Sequence, residues 1–195
     1  MKSTFIALLA LCFCLGGCGE KTQSEIVEEA IRESLKKPTG ELTKADFEKV
    51  TRLELSENQL TELPKDLENL TQLEELNLYD NQLTDVRGLK KLTQLTSMQL
   101  HYNQLTEVKG LEKLTKLKSL FLNSNKLTEV TGLEKLTKLE VLGLSDNQLT
   151  EVKGLEKLTQ LTGLNLKNNP DLTEAQIDEL QKALPNCRII SNPTK

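Results

Sequence analysis

A hydrolytic centre needs a nucleophile, a base to activate it and a third group to orient the base. This chain of 195 residues has one histidine, His101, and the thiol of Cys187 lies far along the sequence from it. No pair of Cys or His residues stands at metal-ligand spacing, and the acidic residues are scattered. No Gly-rich, phosphate-cradling loop is present; Gly88, Gly110, Gly132 and Gly154 recur as turns, one per repeat. The expectation is a protein that is not an enzyme and needs neither cofactor nor metal.

Recognition is the chemistry these side chains suit. Two positions recur along the chain. One reads Ser56, Tyr79, His101, Asn123, Ser145 and Lys167; the other reads Glu54, Asn77, Gln99, Phe121, Gly143 and Asn165. Tyr102 and Val141 are neighbours of these positions. Beyond the first 17 residues, every aromatic side chain except Phe47, together with the sole histidine, falls in or beside these two rows. If successive members stack at one strand spacing, Tyr79, His101 and Phe121 form one patch, and exposed aromatics in a concavity are what recognition surfaces use. Tyr79, His101, Tyr102, Phe121, Asn123 and Val141 are therefore the candidate partner-binding residues. Neutral drift competes with this reading, because the remaining positions are leucines or near-verbatim turns and variability has nowhere else to appear. The tyrosines weigh against drift, which gives mostly polar residues.

The elements that place these rows come from one phrase, LxxLxLxxNxLTEVxGLEKLTxL, spelled almost identically in Leu95–Leu117, Leu117–Leu139 and Leu139–Leu161. Asn81, Asn103, Asn125, Asn147 and Asn169 are each 22 residues apart, and Asn58 precedes Asn81 by 23. Such a period means stacked units that share a core. Leu120 and Leu122 alternate with Phe121 in the period-2 pattern of a short strand with one buried face. Strands this short must pair in parallel with their counterparts one repeat away, which requires a crossover. Leu127, Val130, Leu133 and Leu136 supply it, with Gly132 in their midst and Gly88, Gly110 and Gly154 in the equivalent places, so short 3₁₀ pieces and tight turns are expected. The six asparagines read as a structural ladder whose buried amides bond the backbone of neighbouring turns.

This pattern resembles the leucine-rich repeat family in its short 22-residue class, known from bacterial internalins and from a regulatory subunit of protein phosphatase 1. The resemblance covers about 50–190. It implies an α/β, right-handed solenoid with a concave parallel β-sheet, a convex side of short 3₁₀ and turn segments, and helical caps. It also implies binding as the usual activity. With 28% charged residues, 3% aromatic and no Trp, leucine carries the core. Six or seven coils at strand spacing give a body about 30–35 Å long. A net charge of −4 with evenly spread lysines argues against nucleic acid as a partner.

Residues 1–17 read as an export signal, with Lys2 followed by the apolar run Phe5–Leu15, too short to span a bilayer. Leu15-Gly16-Gly17-Cys18 resembles a bacterial lipobox, which implies acylation of Cys18 and removal of Met1–Gly17. Cys12 and Cys14 lack the small residues that should precede such a cysteine. The alternative is an ordinary secretory signal cut near Gly17 or Gly19. Residues 18–24 would form a short tether and 25–49 an N-terminal cap, with Ser24 capping a helix from Glu25 to about Lys37 and Thr43-x-x-Asp46 opening a second. Six repeats fill 50–170. At 171–195, Thr173-x-x-Gln176 opens a helix through Leu184, and Pro185–Ile190 follow as a final strand.

The expectation is thus a monomeric lipoprotein, anchored in a membrane through Cys18 on its extracytoplasmic side, in the outer membrane if the host has two. Its concave face would bind a protein. The alternative is an envelope-organising lipoprotein without a dedicated ligand.

Overall fold

The computed structural model describes residues 21–192. Cys18, the export signal and the first three tether residues, 18–20, lie outside the described residues. Seven three-residue strands, β1 Arg52–Glu54, β2 Glu75–Asn77, β3 Ser97–Gln99, β4 Ser119–Phe121, β5 Val141–Gly143, β6 Gly163–Asn165 and β7 Arg188–Ile190, pair in parallel in sequence order. Register is fixed by the core leucines: Leu53 opposes Leu76, which opposes Met98, then Leu120, Leu142, Leu164 and Ile189 in turn. A slip of one residue would turn this buried row outward, so the pairing is strongly specified. The ladder continues past the strands, with Leu100 N donating to Phe121 O at 2.8 Å and Tyr102 N to Asn123 O at 3.0 Å.

Return segments carry Leu127, Val130, Leu133 and Leu136, all buried, and equivalent rows in the other repeats merge into one core along the coil. Short 3₁₀ helices occupy Lys65–Asn69, Arg87–Lys91, Leu133–Lys135 and Leu155–Lys157. Gly110, Gly132 and Gly154 adopt φ of 100°, 103° and 98°, a region that disfavours any side chain. Gly88 departs from the expected equivalence. It lies inside the 3₁₀ helix Arg87–Lys91, which starts before the glycine, and has no positive φ. A recurrent side-chain contact accompanies these three glycines. The carboxylates of Glu112, Glu134 and Glu156 accept from the N–H of Gly110, Gly132 and Gly154, each at 2.6 Å.

The asparagines bond across repeats. Asn103 Nδ2 donates to Leu78 O one repeat behind at 2.9 Å and to Leu100 O in its own turn at 3.1 Å, while Oδ1 accepts from Leu83 N at 3.0 Å. Asn81, Asn125, Asn147 and Asn169 repeat this arrangement and are buried. Asn58 does not complete the row. It is half-buried, its amide donates to Ser56 O in its own turn, and no preceding repeat offers it a carbonyl.

Both ends are covered. Helix α1, Gln23–Leu35, buries Val27 and Ile31 against the first coil, and the Ser34 hydroxyl donates to Arg52 O at 2.9 Å on the outer edge of β1. The helix begins earlier than expected: Thr22, not Ser24, is the N-cap, because Thr22 and Glu25 form the reciprocal capping box, and it ends at Lys36 in the left-handed region. Thr43 and Asp46 form a second box at α2, Lys44–Phe47, and Thr173 and Gln176 a third at α3, Glu174–Ala183. Beyond α3, β7 closes the far end with Cys187 buried beside it, where burial pushes the thiol up and keeps it protonated. Among the described residues, no helix is long and apolar enough to cross a membrane.

Candidate partner-binding face

Outward positions of successive strands line up because the register holds, so residues at one repeat position form columns across the sheet. The third strand position gives Glu54, Asn77, Gln99, Phe121, Gly143 and Asn165, as expected. Two residues on, Tyr79 and His101 are neighbours, with ring centroids 4.5 Å apart. Tyr102 meets Tyr79 edge-on at 5.6 Å and His101 at 5.9 Å, and Phe121 meets His101 edge-on at 6.4 Å. The four rings form one continuous cluster across repeats 2–4. Tyr102 is 54% exposed, against half-burial for the other three, so it stands as the raised wall of the patch.

Two of the six sequence candidates stand apart from the rings. Val141, at the first position of β5, is exposed but makes none of these ring contacts. Asn123 is half-buried and turned towards the next repeat, its Oδ1 accepting from Ser145 N at 3.1 Å and from the Ser145 hydroxyl at 3.2 Å. It can fold there because Gly143 has no side chain, and a Cβ at Gly143 would lie 2.7 Å from the Asn123 amide. Asn123 shapes the floor rather than projecting from it.

The backbone under Tyr102 carries a signal that reading the two rows missed. The residue before each recurrent asparagine, namely Glu57, Asp80, Tyr102, Ser124, Asp146 and Asn168, has φ between 51° and 58°. Asp and Asn tolerate this left-handed conformation because their short side chains bond locally, whereas a bulky ring there is strained. The oddity was present in the sequence as the one aromatic in a column otherwise short or acidic.

Electrostatically the patch is neutral at its centre and acidic at one side. Burial holds the His101 pKa below the ordinary 6.5, and His101 Nδ1 is buried without a hydrogen-bond partner. Desolvation, then the carboxylates of Asp80 and Glu57, raise the Tyr79 phenol. Among the described residues, no group of three or more His, Cys, Asp or Glu is arranged to hold a metal ion.

Comparison with known proteins agrees with this architecture. The family profile "Leucine Rich repeats (2 copies)" matches 48–91, 93–135 and 137–186. No curated protein matches. Among solved structures, an internalin (InlF) from Listeria monocytogenes superposes with a TM-score of 0.71 at 25% identity, over 87% of this chain and 57% of that one. A leucine-rich repeat protein of Leptospira interrogans gives 0.69 at 33% identity, over 74% of this chain and 38% of that one. The functional domain of InlJ from Listeria monocytogenes, which includes a cysteine ladder, gives 0.73 at 24% identity, over 85% and 36%, and bears on the fold alone. This chain therefore spans about half or less of the length of these structures. With three family matches tiling the six coils, the chain belongs to the leucine-rich repeat family.

Proposed function

We propose that this protein is a bacterial lipoprotein, held at the extracytoplasmic side of a membrane through acylated Cys18, and that its concave face binds another protein. The observation that carries the binding reading is the four-ring cluster of Tyr79, His101, Tyr102 and Phe121, presented on a rigid sheet and raised by a tyrosine in a strained conformation. Backbone strain accumulates at functional sites, and tyrosine is among the side chains that dominate protein–protein hot spots. Val141 extends the surface along the same face, and Asn123 supports it. The resemblance to internalin structures fits a non-catalytic binding role.

The anchor rests on Leu15-Gly16-Gly17-Cys18. Two or three acyl chains at that cysteine give stable membrane attachment, where a single chain is marginal. The outer membrane is favoured in a host with two membranes.

Replacing Tyr79, His101 and Phe121 together by Ser tests the binding reading. The expected result is loss of partner capture in envelope fractions with a melting temperature nearly unchanged; a large drop in melting temperature would assign these rings to the core instead. Incorporation of labelled fatty acid into the wild-type chain but not into Cys18→Ala tests the anchor, and equal labelling of both would refute it.

A further inference from the structure

Three left-handed positions run side by side at one end of the aromatic cluster. Glu57, Asp80 and Tyr102 each precede a recurrent asparagine, and the ladder joins their repeats through Glu57 N to Tyr79 O at 2.9 Å and Asp80 N to His101 O at 3.1 Å. They share one column, parallel to the column of Ser56, Tyr79 and His101. The two acidic residues therefore stand in the column beside Tyr79, whose phenol their carboxylates push up, next to a corner formed by the perpendicular rings of Tyr79 and Tyr102, at 89° to each other. Both carboxylates are exposed, and neither forms an ion pair with a described residue. The four strand-face columns of the first four repeats hold one base, Arg52, already paired with Glu75 at 3.0 Å. His101 adds no charge near neutral pH, since burial keeps it unprotonated.

Aromatic faces attract cations through their quadrupole, more so when water is partly excluded, and adjacent carboxylates add Coulomb attraction. An anionic group would be repelled here, and a purely apolar side chain would leave the carboxylates beside it desolvated without compensation. Resting on the reading of this face as a protein-binding surface, we propose that the corner formed by Tyr79 and Tyr102, with Asp80 and Glu57, is the receptor for a cationic side chain, arginine or lysine, of the protein partner. Arginine fits best, because its planar guanidinium stacks on one ring while its fork meets a carboxylate. Phe121, at the opposite end of the cluster, takes the apolar residues that flank it.

The test uses the full chain and three small probes of similar size: N-acetylarginine amide, N-acetylleucine amide and N-acetylglutamic acid 1-amide. Ring resonances of Tyr79, His101, Tyr102 and Phe121 are followed by NMR during titration. The arginine probe should shift them saturably, about fivefold more tightly than the leucine probe, and the glutamate probe should not. Asp80→Asn combined with Glu57→Gln should weaken the arginine probe by up to about fivefold without altering the melting temperature. Equal binding of the leucine probe, unchanged arginine binding in the double variant, or no shift with any probe would overturn the cation inference. Whether the face binds a protein at all is read separately, from crosslinking at position 121, so the two ideas fail independently.

Discussion

The ring of Tyr102 meets that of Tyr79 edge-on at 5.6 Å while its own backbone sits at φ 56°, so the most exposed aromatic of the patch occupies a backbone position better suited to asparagine. Local stability and surface chemistry pull in opposite directions at this residue. Near-identical sequence elsewhere in the repeats shows what the position accepts: Asp146 and Asn168 stand where Tyr102 does.

Tyr102→Asn should therefore separate stability from binding. Relief of left-handed strain is worth about 1 kcal/mol, and loss of the edge-on ring contacts costs about as much. The melting temperature should stay within about 3 °C of wild type, while capture of the partner falls sharply. A clear destabilisation would mean that the ring packs more than it recognises.

The asparagine row should be energetically uneven. Asn125→Ala leaves buried carbonyls and the Leu105 N–H unpaired and should cost about 1–3 kcal/mol in chemical denaturation. Asn58→Ala, at the half-buried first position with only Ser56 O as acceptor for its amide, should cost less than about 1 kcal/mol. Equal losses would contradict the account of inter-repeat bonding.

The glycines give a graded series. Gly132→Ala meets nothing within 4 Å, so its cost is backbone strain alone, about 1–3 kcal/mol. Gly110→Ala adds a contact of 2.7 Å with the Arg87 Cα and should cost more. Gly88→Ala, in a 3₁₀ helix with ordinary φ and 3.4 Å from the Leu63 Cβ, should change stability by less than about 1 kcal/mol. Urea midpoints for the three variants decide the order.

How much of this was legible in the sequence follows from the same residues. The period of 22 gave strands, register and the buried asparagines from Asn81 onward, because each repeat meets an identical neighbour and the pattern has one physical solution. Periodicity misleads where the neighbour changes. Asn58 looks like a ladder member but has no repeat behind it, and Gly88 looks like Gly110 but sits in a helix that starts before it. Ser24 is a good N-cap in isolation, but Thr22 caps the helix because it is three residues before Glu25 and so completes a reciprocal box. The aromatic patch was legible as two rows of side chains. Its acidic flank was not, because Glu57 and Asp80 join it through a left-handed column that reading alternate strand positions does not reveal.

Acid should destabilise the fold in two separable windows. His101 has a folded pKa below its ordinary 6.5, so the unfolded chain takes up the proton first, and stability is lost as pH falls through and below 6.5. His101 is the sole histidine, so His101→Gln should flatten the melting temperature between pH 7 and pH 5. Asp46, whose carboxylate accepts from Lys37 Nζ at 2.7 Å and from Thr43 N at 2.9 Å, is held well below the usual carboxylate range. Its stabilisation is present above its ordinary value of 3.8 and declines only below it. Asp46→Asn should leave the pH 7 to 5 slope intact and reduce the slope below pH 4.

The most direct test of the central claim is site-specific photo-crosslinking in intact cells of the source organism. One probe replaces Phe121 on the concave face, and a control replaces Lys116, which lies outside the strand. A recognition face predicts a discrete adduct from position 121 alone, whose mass identifies the partner. Equal smears from both positions, or silence from both, would contradict it and favour an envelope-organising lipoprotein whose aromatic patch is drift.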